Sequence, residues 1–143
     1  MGARRIARER ALQALYQLDM GSVATSEAAL EAAWAASSEE GAKETEAGAE
    51  AFARELVVGV WARRADIDAL IERHSHNWRL DRMSRIDRNV LRLGLYELAH
   101  CPDIPRKVTL NEAVELGKTF GSEESSSFIN GLLDRAAAEL GKP

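Results

Sequence analysis

Arg5, Arg8 and Tyr16 are the residues whose types and spacing are best suited to chemistry. On a helix, Arg5, Arg8, Leu12 and Tyr16 recur at spacings of three and four, so guanidinium groups interleave with a phenol ring along one accessible flank. That pattern suits RNA. Arginine neutralises phosphate, and an aromatic ring or a guanidinium plane stacks on an unpaired base. The competing structural reading is a helix with solvated arginines and Tyr16 at the edge of the core. Pattern alone leaves both open.

Other reactive residues do not assemble. His74-Ser75-His76 places its imidazoles at i and i+2, which do not converge on a helix, and no neighbouring cysteine completes a metal-ligand set. Gly117-Lys118-Thr119 has the tail of a phosphate-binding loop, but no strand precedes it, and Ala113, Val114 and Glu115 occupy the region of the upstream glycine. Glu123 and Glu124 are adjacent at a helix start, where attraction to the positive end of the helix dipole accounts for them. No Ser-His-Asp arrangement can be assigned. The chain therefore reads as a binding module rather than an enzyme, with no metal and no cofactor. Cys101, the one cysteine, excludes an internal disulfide and suits a reducing cytoplasm, where it serves as a passive thiol at a helix end.

Helical periodicity runs through the elements that must position these groups. Arg4 to Met20 is a first helix closed by Gly21, with Ala7, Ala11, Ala14, Leu15 and Leu18 inward. Ser26 to Ala36 is a second, with Ser26 as N-cap and Ala29, Leu30, Ala33 and Trp34 inward. Ser37 to Gly48 is polar, acidic and least structured. Glu50 to Arg63 resumes the pattern through Phe52, Leu56, Val57, Val60 and Trp61; Ala65 to Ser75 continues it through Ile67, Leu70 and Ile71. Asn77-Trp78 marks a turn with a packed indole. Ser84 to His100 is the most apolar helix and the central one, with Gly94 permitting close approach and Arg85, Arg88 and Arg92 on its charged face. Two further helices fill Val108 to Asp134. Thr109 and Glu112 form a capping box on the first, and Ser122 is the N-cap of the second, whose stripe is Phe128, Ile129, Leu132, Leu133 and Ala136. The fold class is all-α: a helical bundle of about seven helices in one domain, 1–143, with an acidic variable stretch at about 37–48.

A chain of 143 residues with 45% apolar and 29% charged residues buries a core without staples. It has no apolar run of spanning length, and Met-Gly-Ala-Arg-Arg lacks the hydrophobic stretch of a secretory signal. The net charge of −4 seems unfavourable to nucleic acid, but charge is segregated. Arginines dominate the first twenty residues and Arg63 to Arg92, whereas eight glutamates between Ser26 and Glu55 face only Lys43 and Arg54. A local basic footprint is compatible with an acidic whole.

Three segments together carry a family resemblance: Ala3-Arg4-Arg5-Ile6-Ala7-Arg8-Glu9-Arg10 running to Gln13-Ala14-Leu15-Tyr16, then RNVLRLGLYEL, then IPRKVTLNEAVELGKTFGSEESSSFINGLLDRAA. The chain resembles the NusB family of bacterial transcription antitermination factors over nearly its whole length, the acidic stretch excepted. Neither NEAVEL nor Phe128 to Asp134 is informative alone; their combination is specific. The resemblance implies a non-enzymatic, seven-helix RNA-binding factor of the bacterial cytoplasm. It would bind boxA RNA of rRNA leader transcripts as a heterodimer with the small-subunit ribosomal protein NusE. That complex joins RNA polymerase with other Nus factors and suppresses premature termination. By position, Arg4, Arg5, Arg8 and Tyr16 correspond to RNA contacts, Glu124 lies near the RNA path, and Asp87 with its neighbour Arg88 belongs to the ribosomal-protein surface. Ser127 stands where some members have lysine, and Ile6 interrupts a longer arginine run, so RNA affinity without the partner is expected to be weak. Two other readings remain. One is a helical RNA-binding module related to the N-terminal domain of rRNA cytosine-5 methyltransferases, against which the expected end at Pro143 leaves no room for a catalytic domain. The other is a homodimer that occludes the RNA surface.

Overall fold

The computed structural model describes residues 2–35, 46–76 and 79–143. Among them are seven α-helices, one short 3-10 turn and no strand, so the all-α expectation holds. Their contacts divide the chain into two compact units, Met1–Ala62 and Arg63–Pro143, taken in turn below.

In the first unit, α1 (Ala3–Met20) packs against α2 (Ser26–Ala35) and α3 (Glu46–Ala62). Ala7, Ala11, Ala14 and Leu15 are fully buried and Leu18 nearly so, which is the predicted stripe. Three alanines on that stripe keep the helix surface shallow, and α3 supplies Ala49, Ala53, Leu56, Val57 and Val60 as its own buried row. Gly21 stops α1 in the left-handed conformation (φ 78°). There the Gly21 N–H donates to the Leu18 carbonyl and the Ser22 N–H to that of Gln17, each at 3.1 Å, a Schellman termination. The cap of α2 is Thr25 rather than Ser26: its Oγ1 accepts the Ala28 N–H at 3.1 Å. Ala36 and residues 37–45 of the acidic stretch lie outside the described residues. Its last part, from Glu46, is helical and opens α3. A run of Glu, Ala and Gly before Glu50 hid that start, because its apolar residues are too small to mark a stripe.

In the second unit, α4 (Arg64–His74), a 3-10 turn (Leu80–Arg82), α5 (Arg85–His100), α6 (Arg106–Phe120) and α7 (Ser125–Leu140) follow in order, and α4, α6 and α7 each pack against the central α5. Every residue from Asn89 to Leu98 is buried. Ser84 caps α5 by accepting the Asp87 N–H on its Oγ at 3.0 Å. A Cβ on Gly94 would come within 2.7 Å of Cδ1 of the fully buried Leu133, so glycine lets that side chain of α7 lie directly against α5. Asn77 and Trp78, read as a turn, lie outside the described residues.

Two helix starts of this unit also differ from expectation. Helix α6 begins at Arg106 behind Pro105, because proline fixes a φ that suits a helix entrance and its missing N–H costs nothing there. Thr109 thus sits inside the helix, 2% exposed, and its hydroxyl donates to Glu97 Oε1 of α5 at 2.9 Å instead of forming a capping box. Helix α7 begins at Ser125, not behind a Ser122 cap; the Ser122 N–H donates to the Ser125 hydroxyl at 2.9 Å.

Candidate nucleic-acid interface

Arg4 reaches solvent from the first turn of α1, and its guanidinium carbon lies 4.7 Å from the centroid of the Phe52 ring on α3. That of Arg8 lies 5.4 Å from the same ring. An aromatic face attracts a cation through its quadrupole, so Phe52 organises both arginines. Arg5 and Tyr16 are half-buried on the same helix.

The accessible flank expected from spacing is therefore accessible only in part. Arg8 is 4% exposed and Leu12 is 2% exposed. Arg8 lies over the ring of Phe52, a residue whose spacing places it in the core stripe of α3. A long guanidinium stem covers apolar surface while its head stacks on the ring. Arg4 is thus exposed, and Arg5 and Tyr16 are exposed in part.

In the second unit, Arg82, Met83, Ser84, Asp87, Ser122, Glu124 and Phe128 line a cavity of about 240 Å³. It brings together Asp87 and Glu124, which sequence reading had assigned to different partners. Asp87 is held at the first turn of α5, where its carboxylate faces the positive end of the helix dipole. Its Oδ1 is buried and has no hydrogen-bond partner among the described residues. Glu124 is exposed at the residue before α7. Arg88 does not line the cavity: it is half-buried and its NH1 donates to the Leu80 carbonyl at 3.2 Å. Arg82, Met83 and Phe128 were not anticipated in the cavity. Phe128 had been counted as core, and its half-burial is the structural distinction that spacing does not carry.

The charged face read for α5 also divides. Arg92 is 4% exposed and grips Asp68 of α4 with two bonds of 2.8 and 2.9 Å, while a third reaches Asn89 at 3.0 Å. It is a structural arginine; only Arg85 of that stripe is exposed. Two shifted groups lie outside both regions. Burial, followed by the nearby Arg63 charge, lowers the pKa of His100, whose ring is 5.1 Å from Tyr96. The hydrogen bond from Arg73 lowers that of Glu139. Among the described residues no cluster of metal-ligating side chains is present, and no helix is long and apolar enough to cross a membrane.

Among the described residues, seven α-helices, a ring-stacked arginine face and a cavity lined mostly by polar residues define an all-α protein. The sequence pattern of the NusB family matches residues 5–138. The transcription antitermination protein NusB of Myxococcus xanthus (strain DK1622) is 68% identical over the full length of both chains. Among solved structures, T. maritima NusB is 38% identical, with a TM-score of 0.82 over 95% of this chain and 91% of that one. The antitermination factors NusB and NusE in complex with dsRNA include a chain 25% identical, with a TM-score of 0.82 over 96% of this chain and 97% of that one. The chain belongs to the NusB family.

Proposed function

We propose that this chain is a transcription antitermination factor of the bacterial cytoplasm. It binds boxA RNA of rRNA leader transcripts together with the ribosomal protein NusE, and with RNA polymerase and the other Nus factors it prevents premature termination. It works by binding, not by catalysis. The observation that carries this reading is the family match over residues 5–138, joined to a similar fold in a NusB–NusE–dsRNA structure. The arginine face of α1 gives that reading its chemistry. Arg4 and Arg5 neutralise phosphates and Tyr16 stacks on a base, whereas buried Arg8 acts by holding Phe52 and the face in place. The cavity at Asp87 and Glu124 supplies acceptors: Asp87, flanked by Arg88, meets the ribosomal protein, and Glu124 borders the RNA.

Filter binding with NusE present tests the reading by comparing boxA RNA with a scrambled sequence of equal length. The expected result is tighter retention of boxA RNA. Equal retention of both would overturn sequence recognition.

A further inference from the structure

The side of α3 that faces away from Phe52 carries a second feature. Glu27, Leu30, Glu31 and Trp34 of α2, with Glu50 and Arg54 of α3, line a groove of about 230 Å³. Leu30, 6% exposed, and the half-buried indole of Trp34 form its apolar part. Its rim is acidic. Glu27, Glu31 and Glu50 are exposed, and the one cation in the lining, Arg54, is already paired with Glu27. Glu31 and Glu50 have no ion-pair partner among the described residues. Glu50 and Arg54 lie one turn apart, whereas Phe52 is rotated from each by about 200°. The groove and the Arg4–Phe52 stack therefore occupy opposite sides of α3.

We propose that this groove is a docking surface for an arginine- or lysine-rich segment of a protein partner. One cationic side chain lays its apolar stem along Leu30 and its charge on the Trp34 indole, with Glu31 and Glu50 beside it. An electron-rich ring and uncompensated carboxylates favour the same sign of charge, and both repel phosphate. At about 230 Å³ the space is smaller than the roughly 300–1,000 Å³ of small-molecule sites, and suits a single anchoring side chain of a longer segment. Because the groove turns away from the arginine face, a basic protein segment and an RNA can be held on unit 1 at the same time. This inference stands independently of the RNA reading.

The full chain, titrated with a short Arg-Gly-Ser repeat peptide, tests it by following the indole N–H resonance of Trp34 in NMR spectra, identified by its loss in Trp34→Phe. The Trp34 signal should shift saturably, and less at high salt. Glu31→Gln with Glu50→Gln, both exposed positions, should weaken binding by about five-fold or more while leaving the amide spectrum folded, as expected for the loss of two surface charge contacts. Arg4→Ala with Arg5→Ala should leave peptide affinity unchanged. An unmoved Trp34 signal, equal affinity in the glutamine variant, or an equal response to a Glu-Gly-Ser peptide would overturn the proposal.

Discussion

Arg85 and Arg92 are seven positions apart on α5, yet one is exposed and the other has 5% of its side chain accessible and both Asp68 oxygens as partners. Removing one member of a buried pair leaves the other charge without compensation. Arg92→Ala should therefore cost about 3 kcal/mol in urea unfolding, and Arg85→Ala less than about 0.5 kcal/mol. Equal effects would contradict the division. On α1, Arg4→Ala with Arg5→Ala should reduce boxA affinity in the presence of NusE and flatten its salt dependence by about two phosphate contacts. An unchanged salt slope in filter binding would move the RNA contact elsewhere. His100 provides a pH test. Its folded pKa is lowered by burial and by Arg63, so the unfolded chain takes up the proton first. That stabilising contribution is complete above the unfolded value of about 6.5 and is lost as pH falls through the lowered folded value. His100→Asn should flatten this part of the stability curve, by a modest amount because the ring is exposed. At this scale sequence spacing was informative about which arginines share a face and silent about what meets them. Asp68 lies twenty-four residues before Arg92, and Phe52 far from Arg8, so neither partner is visible in local periodicity.

Helix existence was legible because buried apolar residues recur at threes and fours: the stripes of α1 and α7 hold almost residue by residue. Helix starts were less legible, because several Ser and Thr candidates compete near each one and only hydrogen-bond geometry decides between them. Thr25 prevails over Ser26 at α2, and Pro105 takes the entrance of α6. Ser84→Ala should cost about 1 kcal/mol by freeing the Asp87 N–H, whereas Ser26→Ala should cost a few tenths. The α6–α7 connection is more demanding. A Cβ on Gly121 would stand 2.4 Å from Ser125 Oγ and 2.8 Å from the Gly117 carbonyl oxygen. The backbone carbonyl cannot rotate away, so Gly121→Ala should destabilise the chain by roughly 1–3 kcal/mol. A melting temperature equal to that of the unchanged chain would show that the turn relaxes freely.

For the whole molecule, the net charge of −4 conceals a division of labour by position. In the first unit Arg4 reaches solvent on α1, while exposed glutamates gather on α2 and α3. That segregation was visible in the sequence; its consequence, two differently charged surfaces on opposite sides of α3, required the fold. The family resemblance pointed to NusB, and the match over residues 5–138 bears it out. On the proposed function, the chain keeps RNA polymerase transcribing through terminators when boxA is present. Reconstituted transcription of a boxA-led template through a terminator, with polymerase, NusE and the other Nus factors, tests it most directly. Adding this chain should raise readthrough on the boxA template and not on one with a scrambled boxA. Readthrough that is unchanged by the chain, or raised equally on both templates, would contradict it.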